Sequence, residues 1–149
     1  MRAYTRGLAL VVAIAAGAAC SGDGGGGGPS PTAITGTWQL TKVLFVSQAN
    51  PQQSVDLIAQ GGTATLTLDP GYTFTIVINM PAVPPDTLAG TWSLSGDLLT
   101  MIPDWFTGNM QFTVTVAGQT LKLAGGHVDF DVNNDGTDEP AILTIEGTK

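Results

Sequence analysis

Hydrophobic and polar residues alternate with a period of two along most of the chain after residue 34. In the clearest case, Ala64, Leu66 and Leu68 alternate with threonines. A period of two is typical of β-strands with one buried face. The pattern predicts eight strands, near residues 36–46, 63–68, 72–79, 88–94, 98–102, 110–116, 120–131 and 140–146. One short helix is predicted over 54–60, because Ser54 is a typical helix cap and two glycines follow the segment.

The connections between the predicted strands are alternately short and long. Turn-forming sequences make up the short ones, at 69–71, 95–97 and 117–119. The long ones lie at 47–62, 80–87, 103–109 and 132–139. Alternate connections of an up-and-down sheet lie at opposite ends, so the order predicts an all-β, antiparallel up-and-down barrel with a closed end and a loop-rich mouth. A Greek-key sandwich is the competing fold, but it needs long crossovers where this chain has hairpins.

The first twenty residues depart from this pattern. Arg2 and Arg6 precede an uncharged run over 7–19, and Cys20, the only cysteine of the chain, follows it. A positively charged start, a short apolar run and small residues before a cleavage site are typical of a secretion signal. The run is shorter than the roughly 20 apolar residues that a membrane-spanning helix needs. The simpler alternative is an ordinary signal peptide with Cys20 as a buried free thiol.

Residues 17–20, Gly-Ala-Ala-Cys, resemble the end of a bacterial lipoprotein signal. The resemblance implies a signal peptide at 1–19 and an acylated Cys20 that anchors the chain to a membrane. With Ser21 next, it also implies export to the outer membrane of a bacterial cell envelope. The glycine-rich segment 20–33 is predicted to be a flexible tether, on the order of 20 Å long, ahead of a folded domain at 34–149.

Charge narrows the choice of partners. Removal of the signal leaves three lysines against twelve acidic residues, a formal charge of −9. Nucleic acid is excluded as a partner, because its affinity depends on lysine and arginine neutralising phosphates. Anionic lipid headgroups would also repel the domain, so the acyl chains would hold it at the membrane. We expect a monomer.

A short motif occurs twice in the predicted strands. Gly90-Thr91-Trp92-Ser93-Leu94 repeats Gly36-Thr37-Trp38-Gln39-Leu40, and the glycine-x-tryptophan pattern is that of lipocalins. Over about 34–147 the chain resembles bacterial lipocalin-like lipoproteins, which implies an eight-stranded barrel and the binding of a small apolar ligand. In lipocalins the first tryptophan packs against an arginine near the last strand, and no arginine follows the signal here. The simpler interpretation of Trp38 and Trp92 is that both fill the core at one end.

An acidic segment has the spacing of a calcium-binding loop. Oxygen-bearing residues occupy positions 1, 3, 5, 7 and 9 of an EF-hand-like loop: Asp131, Asn133, Asp135, Thr137 and Glu139. Gly136 lies at the turn, but position 12, a glutamate in EF-hands, is Ile142 here. These residues fit either a weak calcium site or an acidic hairpin loop that keeps the sheet soluble. No other cofactor is indicated.

Two adjacent aromatic residues, Trp105 and Phe106, lie in the predicted mouth loop 103–109. Adjacent loop residues cannot easily both face a core, so one of them is a candidate contact for a ligand or partner. The alternative is that the loop folds over the barrel opening and covers both.

Reactive residues are too few to indicate an enzyme. The processed chain has no arginine, a single histidine and no cysteine nucleophile once Cys20 is acylated. The other aspartates lie mainly in or beside predicted turns, where aspartate stabilises the backbone, and form no evident catalytic pair. His127, with Asp129 on the same strand face, is interpreted as a surface histidine.

Two functions remain: a carrier of a small apolar ligand, and a non-enzymatic envelope lipoprotein whose loops contact another protein. Whether the interior of the barrel is hollow or filled distinguishes these two functions. Ten residues are predicted to face inward: Trp38, Leu40, Leu66, Leu68, Phe74, Ile76, Trp92, Leu94, Phe112 and Val114. They are bulky enough either to fill the barrel or to line a cavity. The resemblance to lipocalins favours the carrier.

Overall fold

A computed structural model describes residues 27–105 and 107–149. Within them lie one helix and nine strands: α1 (Pro31–Ile34), β1 (Gly36–Ser47), β2 (Ser54–Asp56), β3 (Thr63–Leu68), β4 (Thr73–Asn79), β5 (Asp86–Ser95), β6 (Leu98–Pro103), β7 (Met110–Ala117), β8 (Thr120–Phe130) and β9 (Glu139–Thr148). The predicted signal peptide at 1–19 and Cys20 fall outside the described residues. No helix in the described ranges is long and apolar enough to cross a membrane.

Eight of the strands form a closed antiparallel barrel. From β3 to β9, each strand pairs with the next along the chain, and β1 closes the sheet by pairing with both β3 and β9. Strand β1 reaches both neighbours because it is long: residues 36–40 pair with β3, and residues 39–47 pair with β9. The predicted up-and-down barrel is confirmed, and no crossover of the kind that a Greek-key sandwich needs occurs in the described sheet.

Short and long connections lie at opposite ends of the barrel, as the sequence predicts. Ser95 pairs with Leu98 and Ala117 with Thr120, which leaves 96–97 and 118–119 as tight turns. The connections that follow β1, β4, β6 and β8 are longer and lie at the other end. We call the two ends the closed end and the mouth. The chain enters at the closed end, since the first residue of β1 pairs with the last residue of β3.

The two repeated tryptophans fill the closed end. Trp38 is completely buried and Trp92 is almost so. Each indole Nε1–H donates a hydrogen bond to a backbone carbonyl, at 2.8 Å to Ile34 and at 3.1 Å to Asp69. A buried indole needs such an acceptor, because its N–H has left water. The two Gly-Thr-Trp segments therefore have the same role, and the core-filling interpretation is confirmed.

Lys149 covers Trp38 from outside. Its Nζ lies 4.2 Å from the centroid of the Trp38 ring, where a cation is attracted by the aromatic face. The same ammonium donates to the carbonyls of Ala33 at 3.4 Å and Thr35 at 2.9 Å. A lysine that follows the last strand thus occupies the position that the resemblance to lipocalins assigns to an arginine.

Helix α1 precedes the barrel and includes residues 31–33, which the sequence places in the tether. Ser30 caps the helix by accepting a hydrogen bond from the Ala33 N–H at 3.3 Å, and a proline occupies the first turn. Ile34 is completely buried at the closed end. This buried contact fixes the point at which the preceding chain meets the barrel.

The predicted helix over 54–60 is wrong. Ser54–Asp56 forms the short strand β2, and a turn follows it. Strand β2 pairs with residues 44–46 of β1, along an edge that β3 leaves open after residue 40. Asp56 Oδ1 then accepts hydrogen bonds from the backbone N–H groups of Val43 and Ile58, at 3.3 and 3.0 Å. The open edge of β1 offers backbone hydrogen-bond partners to this segment, whereas a helix this short is costly to nucleate.

Candidate ligand cavity and acidic mouth

An apolar cavity of about 640 Å³ opens at the mouth of the barrel. This volume lies within the range of small-molecule binding sites, roughly 300–1,000 Å³. Apolar side chains provide most of the lining: Leu40, Val43, Phe45, Leu57, Ile76, Ile78, Met80, Val83, Pro84, Leu88, Pro103, Trp105, Met110, Val128, Phe130, Leu143 and Ile145. The barrel is therefore filled at one end and hollow at the other.

The inward side chains fill one end of the barrel and not the other. Trp38 and Phe74 are buried within the core. Nearer the mouth, short residues such as Val43 and Val128 and the larger Phe45 line the cavity instead. A closed barrel cannot contract around side chains that do not fill it, because strand number and stagger set its diameter. The unfilled volume remains as a cavity.

Two aromatic rings form part of the cavity wall. The rings of Phe45 on β1 and Phe130 on β8 stack with their centroids 3.9 Å apart and their planes 12° from parallel. Phe45 is buried and Phe130 is half-buried. Each ring covers one face of the other, so each keeps one free face.

Loop residues complete the rim of the cavity. Trp105 lines the cavity while 68% of its surface stays exposed, and Val83 from the β4–β5 loop is 60% exposed. Phe106, the second predicted aromatic contact, lies outside the described residues. Met80, Val83 and Leu57 were not singled out by sequence, because apolar residues in loops show no periodicity. Their concentration in two predicted mouth loops is the signal that could have indicated them.

The charged residues among the described lining are acidic: Asp86, Asp138 and Asp129, of which Asp129 alternates with the inward Val128 and Phe130 and so lies on the outer face with His127. Asp86 begins β5 and shares the inward alternation of Leu88 and Gly90. The lysines lie elsewhere. Lys42 and Lys122 are 3.6 and 3.7 Å from Glu146 Oε1 on the outer wall, and Lys149 lies at the closed end.

Glu139 is half-buried, but its carboxylate oxygens are buried and have no hydrogen-bond partner among the described residues. It begins β9 and alternates in phase with the buried Ala141 and Leu143, so its side chain lies on the inward face of the strand. Directly across the sheet is Phe130, which lines the cavity. Both carboxylate oxygens of Glu139 are inaccessible to water, and Glu139 is not itself among the described residues that line the cavity. The sequence indicates Glu139 only as a candidate calcium ligand.

The acidic loop 131–138 is organised by its own backbone. Asp131 accepts hydrogen bonds from the N–H groups of Asp135 and Gly136, at 3.0 and 2.8 Å. Asn133 Oδ1 accepts from Asp135 N–H at 2.8 Å, and Asp135 Oδ1 accepts from Thr137 N–H at 2.9 Å. Carboxylates that accept backbone N–H groups in this way stabilise a tight turn without a metal. Among the described residues, no group of three or more histidine, cysteine or acidic side chains is arranged to hold a metal ion.

Calcium binding by this loop stays a prediction. If Asp131, Asn133 and Asp135 hold a weak site, millimolar calcium is expected to raise the melting temperature of the domain, since a ligand that binds only the folded state stabilises it. Asp135→Asn should abolish the shift. This variant removes the charge but not the turn, because the asparagine Oδ1 can still accept a hydrogen bond from Thr137 N–H. Equal melting curves with calcium and with chelator, in both proteins, would leave only the hairpin-loop interpretation.

His127 lies on the outer wall, as the sequence predicts. It is exposed, and its Nδ1 is 3.1 Å from Gln48 Nε2. Asp129 is also exposed on the same strand. The imidazole is therefore held at the surface by an amide.

Comparison with known proteins assigns no family to this chain. No model of a known protein family matches the sequence. None of the curated proteins compared with it matches significantly. The likeness to lipocalins therefore rests on the repeated Gly-Thr-Trp segments and on the closed eight-stranded barrel that they help to build.

Proposed function

We propose that this chain is a membrane-anchored extracytoplasmic lipoprotein whose barrel binds a small apolar ligand at the mouth. The observation that carries the binding function is the apolar cavity of about 640 Å³. Burial of apolar ligand surface in such a cavity contributes roughly 25 cal/mol per Å² before the cost of association is subtracted. No catalytic step is part of the proposal.

The proposed anchor is the acylated Cys20, in a bacterial envelope and at its outer membrane. The entry of the chain at the closed end supports an orientation with the mouth away from the lipid, because helix α1 and Ile34 are packed there. Metabolic labelling with a fatty-acid analogue tests the anchor. Label in the full chain and its loss in Cys20→Ser are expected, whereas equal labelling would remove the anchor from the proposal.

Native mass spectrometry and displacement of a neutral apolar dye, N-phenyl-1-naphthylamine, test ligand binding. We expect the tag-free domain to bind the dye, and Val128→Trp to weaken dye binding at least tenfold, because the larger side chain fills the cavity. Val116→Trp is the matched control, since Val116 is half-buried but does not line the cavity. Equal dye binding by all three proteins, or none by the parent, would contradict the proposal.

The competing function is a non-enzymatic envelope protein that contacts another protein through its loops. Trp105 and Val83 favour it, because both are largely exposed apolar side chains at the mouth. A domain that neither carries a reproducible extra mass nor binds apolar dyes would favour this alternative.

A further inference from the structure

We propose that the ligand of the cavity is a cationic amphiphile, with its apolar chain inside the barrel and an ammonium group at the mouth. This inference rests on the proposed function, since it names the chemical class of ligand for the same cavity. Three features support it: the charge of the lining, the distribution of charge over the whole barrel, and the unpaired carboxylate of Glu139.

The lining selects against an anionic head group. Its apolar wall would accept the chain of any amphiphile, but the charged side chains among it are Asp86 and Asp138. A fatty-acid carboxylate at the mouth would meet these two groups without a lysine, arginine or histidine in the described lining to balance them. Because like charges repel and opposite charges attract, the aspartates would stabilise a bound cation and destabilise a bound carboxylate.

The rest of the barrel strengthens this preference. Eight acidic residues lie in or beside the mouth connections: Asp56, Asp86, Asp104, Asp129, Asp131, Asp135, Asp138 and Glu139. None of the three lysines is among the residues of those connections, because Lys42, Lys122 and Lys149 lie within strands or at the closed end. A concave opening lined by one sign of charge concentrates the field and raises the local concentration of the opposite ion.

Glu139 adds a buried acidic group directly behind the cavity wall. A carboxylate removed from water without a hydrogen-bond donor or cation is costly, and the described structure provides Glu139 with neither. It lies across the sheet from Phe130, whose ring stacks on Phe45 in the cavity wall. An ammonium group beside Phe130 would meet one aromatic face, which attracts cations, and would lie one strand away from Glu139.

The test compares three probes that share one chain: decyltrimethylammonium, decanol and decanoate, each displacing the neutral dye from the full folded domain. We expect the ammonium to bind at least tenfold more tightly than decanol, and decanoate to bind most weakly. Added salt should reduce the advantage of the ammonium, because it screens the rim carboxylates. Decanol binding as tightly as the ammonium, or decanoate binding most tightly, would overturn the inference and leave the carrier function intact. Failure of all three probes, together with failure of the dye, would instead overturn the carrier function itself.

Two matched double variants test whether the preference for the ammonium arises at the mouth. Asp86→Asn with Asp138→Asn should reduce the preference for ammonium over decanol to within about threefold while decanol still binds. Asp69→Asn with Asp97→Asn makes the same change of net charge at the closed end and should keep the full preference. An equal loss in both double variants would show that net charge alone acts, and would contradict a seat for the cation at the mouth.

Discussion

Replacing Trp38 by alanine is expected to lower the free energy of unfolding by about 4 kcal/mol, which is a large part of the stability of a small domain. The side chain is completely buried, and its loss leaves a void at the closed end. The variant also removes the hydrogen bond to the Ile34 carbonyl and the aromatic face beneath Lys149. Urea unfolding, followed by circular dichroism, measures the change.

Two further variants separate the contributions at this end. Lys149→Met keeps most of the apolar stem and removes the ammonium, so it should cost about 1 kcal/mol. Trp105→Ala removes a second large aromatic residue, but one that is 68% exposed, and should change stability by no more than about 0.5 kcal/mol. If Trp38→Ala were no more destabilising than Trp105→Ala, the closed end would not be the packed core described above.

Gly90→Ala is expected to destabilise the barrel by about 3 kcal/mol. A Cβ atom at this position would meet the carbonyl oxygen of Ile102 and lie 2.8 Å from Pro103 Cα on the neighbouring strand. Those atoms belong to the backbone of β6, so no side-chain rotation can relieve the contact. The shift in the urea midpoint measures the cost.

Gly118→Ala is the control for this substitution. Gly118 lies in the β7–β8 turn with a φ of +59°, and nothing would lie within 4 Å of an added Cβ. Only the left-handed backbone conformation opposes alanine there, at about 1 kcal/mol. Similar losses in the two variants would mean that β5 and β6 can separate at Gly90, contrary to the pairing of Gly90 with Pro103.

The strands could be predicted closely because alternation and turn chemistry agree. Predicted and observed bounds coincide for β3, at residues 63–68, and β8 differs by one residue at its end. The order of short and long connections was enough to determine which strands are neighbours. The number of strands alone predicts closure between β1 and β9, and in the structure this closure depends on the length of β1.

Other features depend on distant parts of the chain and could not be predicted locally. The segment 54–56 becomes a strand because an edge of β1 is open beside it, and nothing within the segment itself indicates that edge. Alternation predicted inward residues correctly, yet could not distinguish a filled barrel from a hollow one. That distinction depends on which inward side chains share one level of the barrel. The pairing of Lys149 with Trp38 likewise joins the two ends of the domain sequence.

The position of the lysines has a practical consequence for binding experiments. All three side-chain amines, those of Lys42, Lys122 and Lys149, lie away from the mouth connections. Amine-reactive coupling to a sensor chip would therefore attach the barrel by its wall or base and present the opening to the flowing solution. Adsorption on a cationic resin would do the opposite, because the acidic rim would face the matrix and the entrance would be blocked.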